Sequence, residues 1–223
     1  NRREEEIAVY DEVLRRFGDA QEPELQKQVA MALVNKGVRL GALNKREEEI
    51  AVCDEVLRRF GDAQEPALRE QVAKALCNKG ITLNDLKKSE EAIAVYDDVV
   101  RRFSDAKEPA IQVTVAAALV NKSHTLGVLN RKEEEIAVCD DLLRRFGDIQ
   151  EPEFQGRVAM ALVNKGEAFE SLANKEMAMT TYNEVIARFS QMTEAKVVEA
   201  VSEARSGLER LRGEGTSSDP ESV

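Results

Sequence analysis

Val29-Ala30-Met31-Ala32-Leu33-Val34-Asn35-Lys36-Gly37-Val38-Arg39-Leu40, followed by Ile50-Ala51-Val52-Cys53-Asp54-Glu55-Val56-Leu57-Arg58-Arg59-Phe60, decides the architecture because it returns along the whole chain. Its closing phenylalanine stands at Phe17, Phe60, Phe103, Phe146 and Phe189, a period of 43 residues with no insertion or deletion. A fixed period of that size predicts a stacked array of similar units rather than one globular core. Function is then to be sought on the surfaces such an array presents.

Within one period the apolar residues fall three and four apart, as in Ile7, Tyr10, Val13, Leu14 and Phe17. That spacing predicts an amphipathic helix over 4–17, with Glu4, Glu5 and Glu6 at its positive end and Arg15 and Arg16 at its negative end. Gly18 is expected to stop it. A longer helix is expected from about 22 to about 43, opened by Glu22-Pro23, since proline is tolerated in a first turn. The same Glu-Pro recurs at Pro66, Pro109 and Pro152, each preceded by an aspartate (Asp19, Asp62, Asp105, Asp148) able to cap free amides. Asn44 and Asn130 mark the turn between long and short helix, where asparagine tolerates a left-handed backbone.

The fold class expected is therefore all-α: a right-handed solenoid of alternating long and short helices. It is expected over residues 1–212, with a short helix at 4–17, repeats at about 22–61, 65–104, 108–147 and 151–190, and a capping helix at 193–212. Arg205 stands there where earlier units place Leu33, Leu76, Leu119 and Leu162, which marks a solvent-facing end. Residues 213–223 are expected to be disordered. The first short helix has no long helix before it, so its apolar stripe should be open to an upstream repeat or a second chain.

Composition narrows the function classes. Hydrophobic residues make up 43%, aromatics 4%, and tryptophan is absent. The net charge of −10 leaves no basic footprint for nucleic acid. No run approaches the length of a membrane span and no secretory leader is read. Cys53, Cys77 and Cys139 form neither a zinc pattern nor an even disulfide set, which suits a reducing, cytoplasmic compartment. No cofactor, metal or catalytic constellation is expected. His124, the single histidine, has no second metal donor at usable spacing.

The run Leu33-x-x-x-Gly37-x-x-Leu40, then Glu48-x-Ile50-x-x-Cys53-x-x-Val56-Leu57, resembles the tetratricopeptide repeat, a helix-turn-helix family. Ala92 fits that family's small residue early in the second helix, whereas Glu6, Glu49 and Glu135 depart from it. The period exceeds the usual one by about nine residues, assigned to an extended front of the long helix. HEAT-type repeats are the structural competitor.

On the long helix Val29, Leu33, Gly37 and Leu40 share one face, expected to be the stacking core. Met31, Val34, Asn35 and Val38 point the other way and should floor an open groove. Asn35, Asn78, Asn121 and Asn164 stand in register, each followed by a lysine. The resemblance implies that such asparagines line a concave groove and hold the main chain of an extended peptide. A row of amides grips backbone N–H and C=O without reading sequence. Variable positions on the same face, Lys74, Ile81, His124 and Glu167 among them, would then set specificity.

The expected activity is protein or peptide binding without catalysis. A structural role with self-association through the first helix, and a sensor segment of a larger enzyme or signalling protein, are the alternatives. The glutamate triplets fan round a helix and read as first-turn charges. The Arg-Arg pairs read as last-turn charges whose stems cover apolar surface.

Overall fold

The structure, a computed structural model, describes residues 2–213. Among them the regular elements are helices alone, long and short in alternation, as the period requires. The expected tail lies outside the described residues except for Gly213, which ends the last helix. The chain forms two compact units, one up to Ala118 and one from Leu119.

The first unit holds α1 (Arg2–Phe17), α2 (Pro23–Ala42), α3 (Arg46–Phe60), α4 (Pro66–Asp85) and α5 (Ser89–Phe103). In it each helix packs on the next, and α2 also packs on α4. Its core alternates Val29, Leu33 and Leu40 of α2 with Val56 and Phe60 of α3, then Val72 and Leu76 of α4 with Tyr96, Val99 and Phe103 of α5. Burial of each such side chain is worth about 1.5–3 kcal/mol. Helix α1 is the exception: it has no buried residue, and Phe17 is 41% exposed where Phe60 is 7%.

The division falls inside α6 (Pro109–Val128). The second unit continues with α7 (Lys132–Phe146), α8 (Pro152–Ser171), α9 (Lys175–Phe189) and α10 (Ala195–Gly213). There α8 packs on both α7 and α9, and α10 closes over α8 and α9. Arg205 on α10 is exposed, where Leu162 on α8 is 1% exposed.

Asn44 (φ 60°) and Asn130 (φ 57°) take the expected left-handed backbone, and Lys87 and Ala173 take it at the equivalent places. Asp19, Asp62 and Asp148 do not cap the long helices α2, α4 and α8 (Pro152–Ser171). Glu22, Glu65 and Glu151 occupy the N-cap positions in extended backbone with no side-chain cap bond, and proline follows. Proline has no N–H to cap, which removes part of the need.

Two ties recur between successive helix pairs. Lys36, Lys79 and Lys165 on long helices reach Asp11, Asp54 and Asp140 on the preceding short helix at 2.5–2.6 Å. The lysine after Asn35, Asn78 and Asn164 is thus a cross-helix ion pair. The second arginine of the Arg-Arg pairs does more than offset a dipole. Arg59 donates to the Gly18 carbonyl at 3.0 Å and Arg102 likewise to that of Gly61, and Arg188, which follows Ala187 instead of an arginine, makes the same bond to Gly147.

Inside each pair, by contrast, the contacts come in two kinds. A Cβ on Gly80 would lie 2.8 Å from Tyr96 Cζ, and one on Gly166 would lie 2.8 Å from Tyr182 Cδ1. Where cysteine replaces the tyrosine, as at Cys53, the facing Gly37 has ordinary space, with Cys53 Sγ 4.0 Å from a built Cβ. The freed volume is used one turn away. Glu49 and Glu135, only 6% and 3% exposed, fold back against Gly41 and Gly127, whose built Cβ would lie 2.5 and 2.6 Å from their carboxylates. In the tyrosine pairs the facing positions are exchanged, with Asn84 opposite Ala92 and Glu170 opposite Ala178.

Candidate functional site

The last turns of α2 and α4 and the first turn of α3 enclose a cleft of about 300 Å³, lined by Val38, Gly41, Ala42, Arg46, Glu49, Asn78 and Ile81. Three of these, Val38, Asn78 and Ile81, are among the residues that the sequence places on the groove face. Val38 and Ile81 are each 42% exposed, so both offer apolar surface at the mouth. Asn78, half-buried, lines the same cleft.

Arg46 organises the charge. Its guanidinium is 3.3 Å from the Glu49 carboxylate and 2.8 Å from that of Asp85, the last residue of α4. Burial pushes the Glu49 carboxyl above its ordinary value; Thr82 and Arg46 pull it back in part, and Asp85 pushes it further up. A carboxyl raised in this way favours the fold fully only while protonated, and that contribution is lost as pH rises through its folded value. Glu49→Gln keeps an acceptor for Arg46 and removes the buried charge. It is expected to raise stability at pH 7 by about 1 kcal/mol, a gain that disappears below the ordinary carboxylate range. Urea melts of both proteins at pH 7 and pH 4 check this; an equal difference at the two pH values rejects it.

The second unit repeats the station in more polar form. Lys132 is 3.0 Å from Glu135, and its ammonium also donates to the Gly127 carbonyl at 3.1 Å. Burial raises the Glu135 carboxyl, with Lys132 lowering it, Glu167 raising it and His124 lowering it. His124 and Glu167 stand where Val38 and Ile81 stand in the first unit, and both are exposed.

The four asparagines of the ladder do not share one environment. Asn35 is exposed, Asn78 and Asn121 are half-buried, and Asn164 is 7% exposed. The Asn164 amide donates to Ser123 Oγ at 2.8 Å, so it is spent within the packing of the second unit. Ser123 stands at the position that Gly37, Gly80 and Gly166 hold elsewhere, and its hydroxyl supplies the partner. Val34 is also buried, at 7%, as are Cys77, Val120 and Val163 at its repeat positions. This corrects the expectation that the face of Val34 floors an open groove. In the first unit the long helices α2 and α4 pack side by side, and the residue one turn before Val38 falls into their seam. Met31 and Lys74 are half-buried, and the Lys74 ammonium is held by Glu70 at 2.5 Å one turn back.

Gly41, Ala42, Arg46 and Glu49 are the members of the cleft that the sequence reading missed, with Asp85 paired to Arg46. The third glutamate of its triplet is a buried group and not one more first-turn charge. The signal was the exchange of Gly41 and Glu49 for Asn84 and Ala92 in the next unit. All three cysteines are buried and unbridged, and burial pushes the Cys53 and Cys139 thiols up to about 12, which leaves them as packing groups.

Two segments match tetratricopeptide repeat models, residues 73–105 and residues 160–191. Each takes in one tyrosine-type pair, where Ala92 and Ala178 supply the small residue whose place Glu49 and Glu135 take in the other pairs. The protein is thus an all-α repeat protein carrying tetratricopeptide-type repeats. Its fold is similar to the crystal structure of BtubC (BKLC) from P. vanneervenii, with TM-score 0.70 and 12% identity over 100% of this chain and 96% of that one. At that identity the likeness is one of fold alone. No curated protein matches the sequence. No helix among the described residues is long and apolar enough to cross a membrane.

Proposed function

We propose that the protein is a binding scaffold that takes an extended segment of a protein partner into the cleft between α2 and α4. Tetratricopeptide-type repeats generally mediate protein–protein interaction, and they support the broader reading. The finer one is carried by a single observation: Asn78 stands in one cleft with two exposed aliphatic side chains, Val38 and Ile81. Apolar walls gain by burial, while an amide bonds both the N–H and the C=O of an extended chain. Within the same unit Asn35 would extend the ladder; Asn164 would not take part, since Ser123 holds it.

The double variant Asn78→Ala, Ile81→Ser tests this with partner capture from an extract of the native cells. Binding is expected to fall by about tenfold or more at unchanged melting temperature, as for residues at the centre of an interface. Unchanged capture would remove the cleft from the proposal. A second reading rests on α1, whose exposed Phe17 and Val9 (61%) form an uncovered stripe that a second copy would bury. Sedimentation equilibrium decides it, and a monomer at all concentrations ends it.

A further inference from the structure

Going beyond both readings, we infer that the open stripe of α1 is a docking face for an amphipathic helix of another polypeptide, one that carries Gly-x-x-x-Gly in register with Tyr10 and Glu6. The chain holds a worked example of this contact. Residues 4–17 of α1 and 47–60 of α3 are identical except that Tyr10 stands where Cys53 does. On α3 the stripe is covered. The preceding long helix α2 brings Gly37 against Val52 and Cys53 and Gly41 against Glu49, and Val56 and Phe60 are buried. On α1 the counterparts Val9 and Phe17 are exposed and Tyr10 and Val13 half-buried, with no helix among the described residues over them. Such a stripe gains by burial under a helix laid along it.

The side chains of α1 select the helix. Where tyrosine holds this repeat position the facing residue is glycine, and a Cβ built there would lie 2.5 Å from Tyr182 Cε1 at Gly166 and 2.8 Å from Tyr96 Cζ at Gly80. Where glutamate holds the position of Glu6 the facing residue is again glycine, Gly41 against Glu49 and Gly127 against Glu135. Helix α1 joins Tyr10 with Glu6, so its partner needs glycine at both places, four residues apart. Glu6 is held by Arg39 of α2 and by Arg2 at 3.5 Å. Of the long helices α2, α4, α6 and α8, the first alone has both glycines, Gly37 and Gly41; the others pair Gly80 with Asn84, Ser123 with Gly127, and Gly166 with Glu170. Each of these faces already meets the short helix that follows it. A second copy therefore has no such face to lend except α1 itself, which contains no glycine, and the helix that fits comes from a different polypeptide.

The experiment titrates the intact chain into a fluorescein-labelled synthetic peptide with the α2 sequence, residues 23–42, and follows anisotropy. Saturable binding is expected, weakened about tenfold or more by Val9→Glu in the chain at unchanged melting temperature. Gly37→Ala and Gly41→Ala in the peptide should each weaken binding about tenfold, as overpacking does. Alanine favours the helix over glycine, so lost helicity would not explain the effect. Tyr10→Cys in the chain should restore binding of the Gly37→Ala peptide, because Gly37 has ordinary space against Cys53. It should not restore binding of the Gly41→Ala peptide, which meets Glu6.

Equal binding of the glycine and alanine peptides, binding indifferent to Val9→Glu, or no binding at millimolar peptide would overturn the inference. So would a chain that dimerises with rising concentration and excludes the peptide, which would leave α1 to a second copy. The cleft between α2 and α4 is decided separately, by Asn78→Ala, Ile81→Ser.

Discussion

Replacement of Tyr182 by alanine is expected to destabilise the second unit by about 3–5 kcal/mol, the range for removing a buried ring. The side chain is 0% exposed and sits between two glycines on different helices. A Cβ built on Gly166 of α8 would lie 2.5 Å from Cε1, and one built on Gly207 of α10 would lie 2.5 Å from Cε2. The ring thus fills a slot that both neighbours shape by lacking side chains, and neither backbone can collapse into the space left behind. Its hydroxyl donates to Glu170 at 2.8 Å, and Glu170 also accepts from Arg210 at 3.0 Å. Tyr182→Phe separates the contributions. It removes only the hydroxyl bond and should cost about 1.5–3 kcal/mol, since the acceptor is charged. Urea melts followed by circular dichroism measure both. A cost below about 1 kcal/mol for the alanine variant would mean that the slot closes, contrary to the clamp described.

Gly80→Ala and Gly37→Ala are expected to have opposite signs, although the two glycines occupy the same repeat position. Alanine inside a helix ordinarily gains about 1 kcal/mol over glycine. At Gly37 nothing opposes the gain, because the nearest side-chain atoms, Cys53 Sγ and Val52 Cγ1, are 4.0 Å from the new carbon. At Gly80 the new carbon falls within 2.9 Å of Tyr96 Cδ1 and closer to Cζ, on a ring that is 1% exposed. Overpacking of that kind costs about 1–3 kcal/mol and reverses the sign. Adding Tyr96→Cys to Gly80→Ala removes the ring from the new methyl, matching the Gly37→Ala variant of the first pair, and should recover part of the loss, a coupling of about 1 kcal/mol or more in a double-mutant cycle. Equal effects at the two glycines, or strict additivity in the cycle, would reject the account.

The period made the elements legible because it is written in residues that structure must keep: Phe17 to Phe189 at helix ends, Pro23 to Pro152 at helix starts. The left-handed turns at Asn44 and Asn130 were also legible, since asparagine signals its own backbone preference. The cleft was readable only in part. Val38, Asn78 and Ile81 could be placed by helical angle alone. Val34 could not, because an angle on one helix does not say how far the next long helix leans over it. The buried glutamates were hidden by their neighbours in the triplets. A charge in a run of charges looks solvated, and only the facing glycine, a helix away in space and eight residues away in sequence, says otherwise. Asn164 was misplaced for a similar reason: the hydroxyl that captures it belongs to another repeat.

The two classes of contact bear on how such a chain can be rearranged. Selective complementarity, ring against glycine or carboxylate against glycine, recurs between a long helix and the short helix that follows it, and Tyr182 adds a second such contact to Gly207 of α10. What fastens one such couple to the next is indifferent to which kind it is, a lysine to an aspartate and an arginine to a main-chain oxygen. Within a unit, a genetic crossover in the Glu-Pro loop therefore exchanges whole cassettes whose inner fit is intact and whose outer fasteners are of one kind. The same crossover at the Asn44 turn would join a tyrosine to a partner shaped for cysteine.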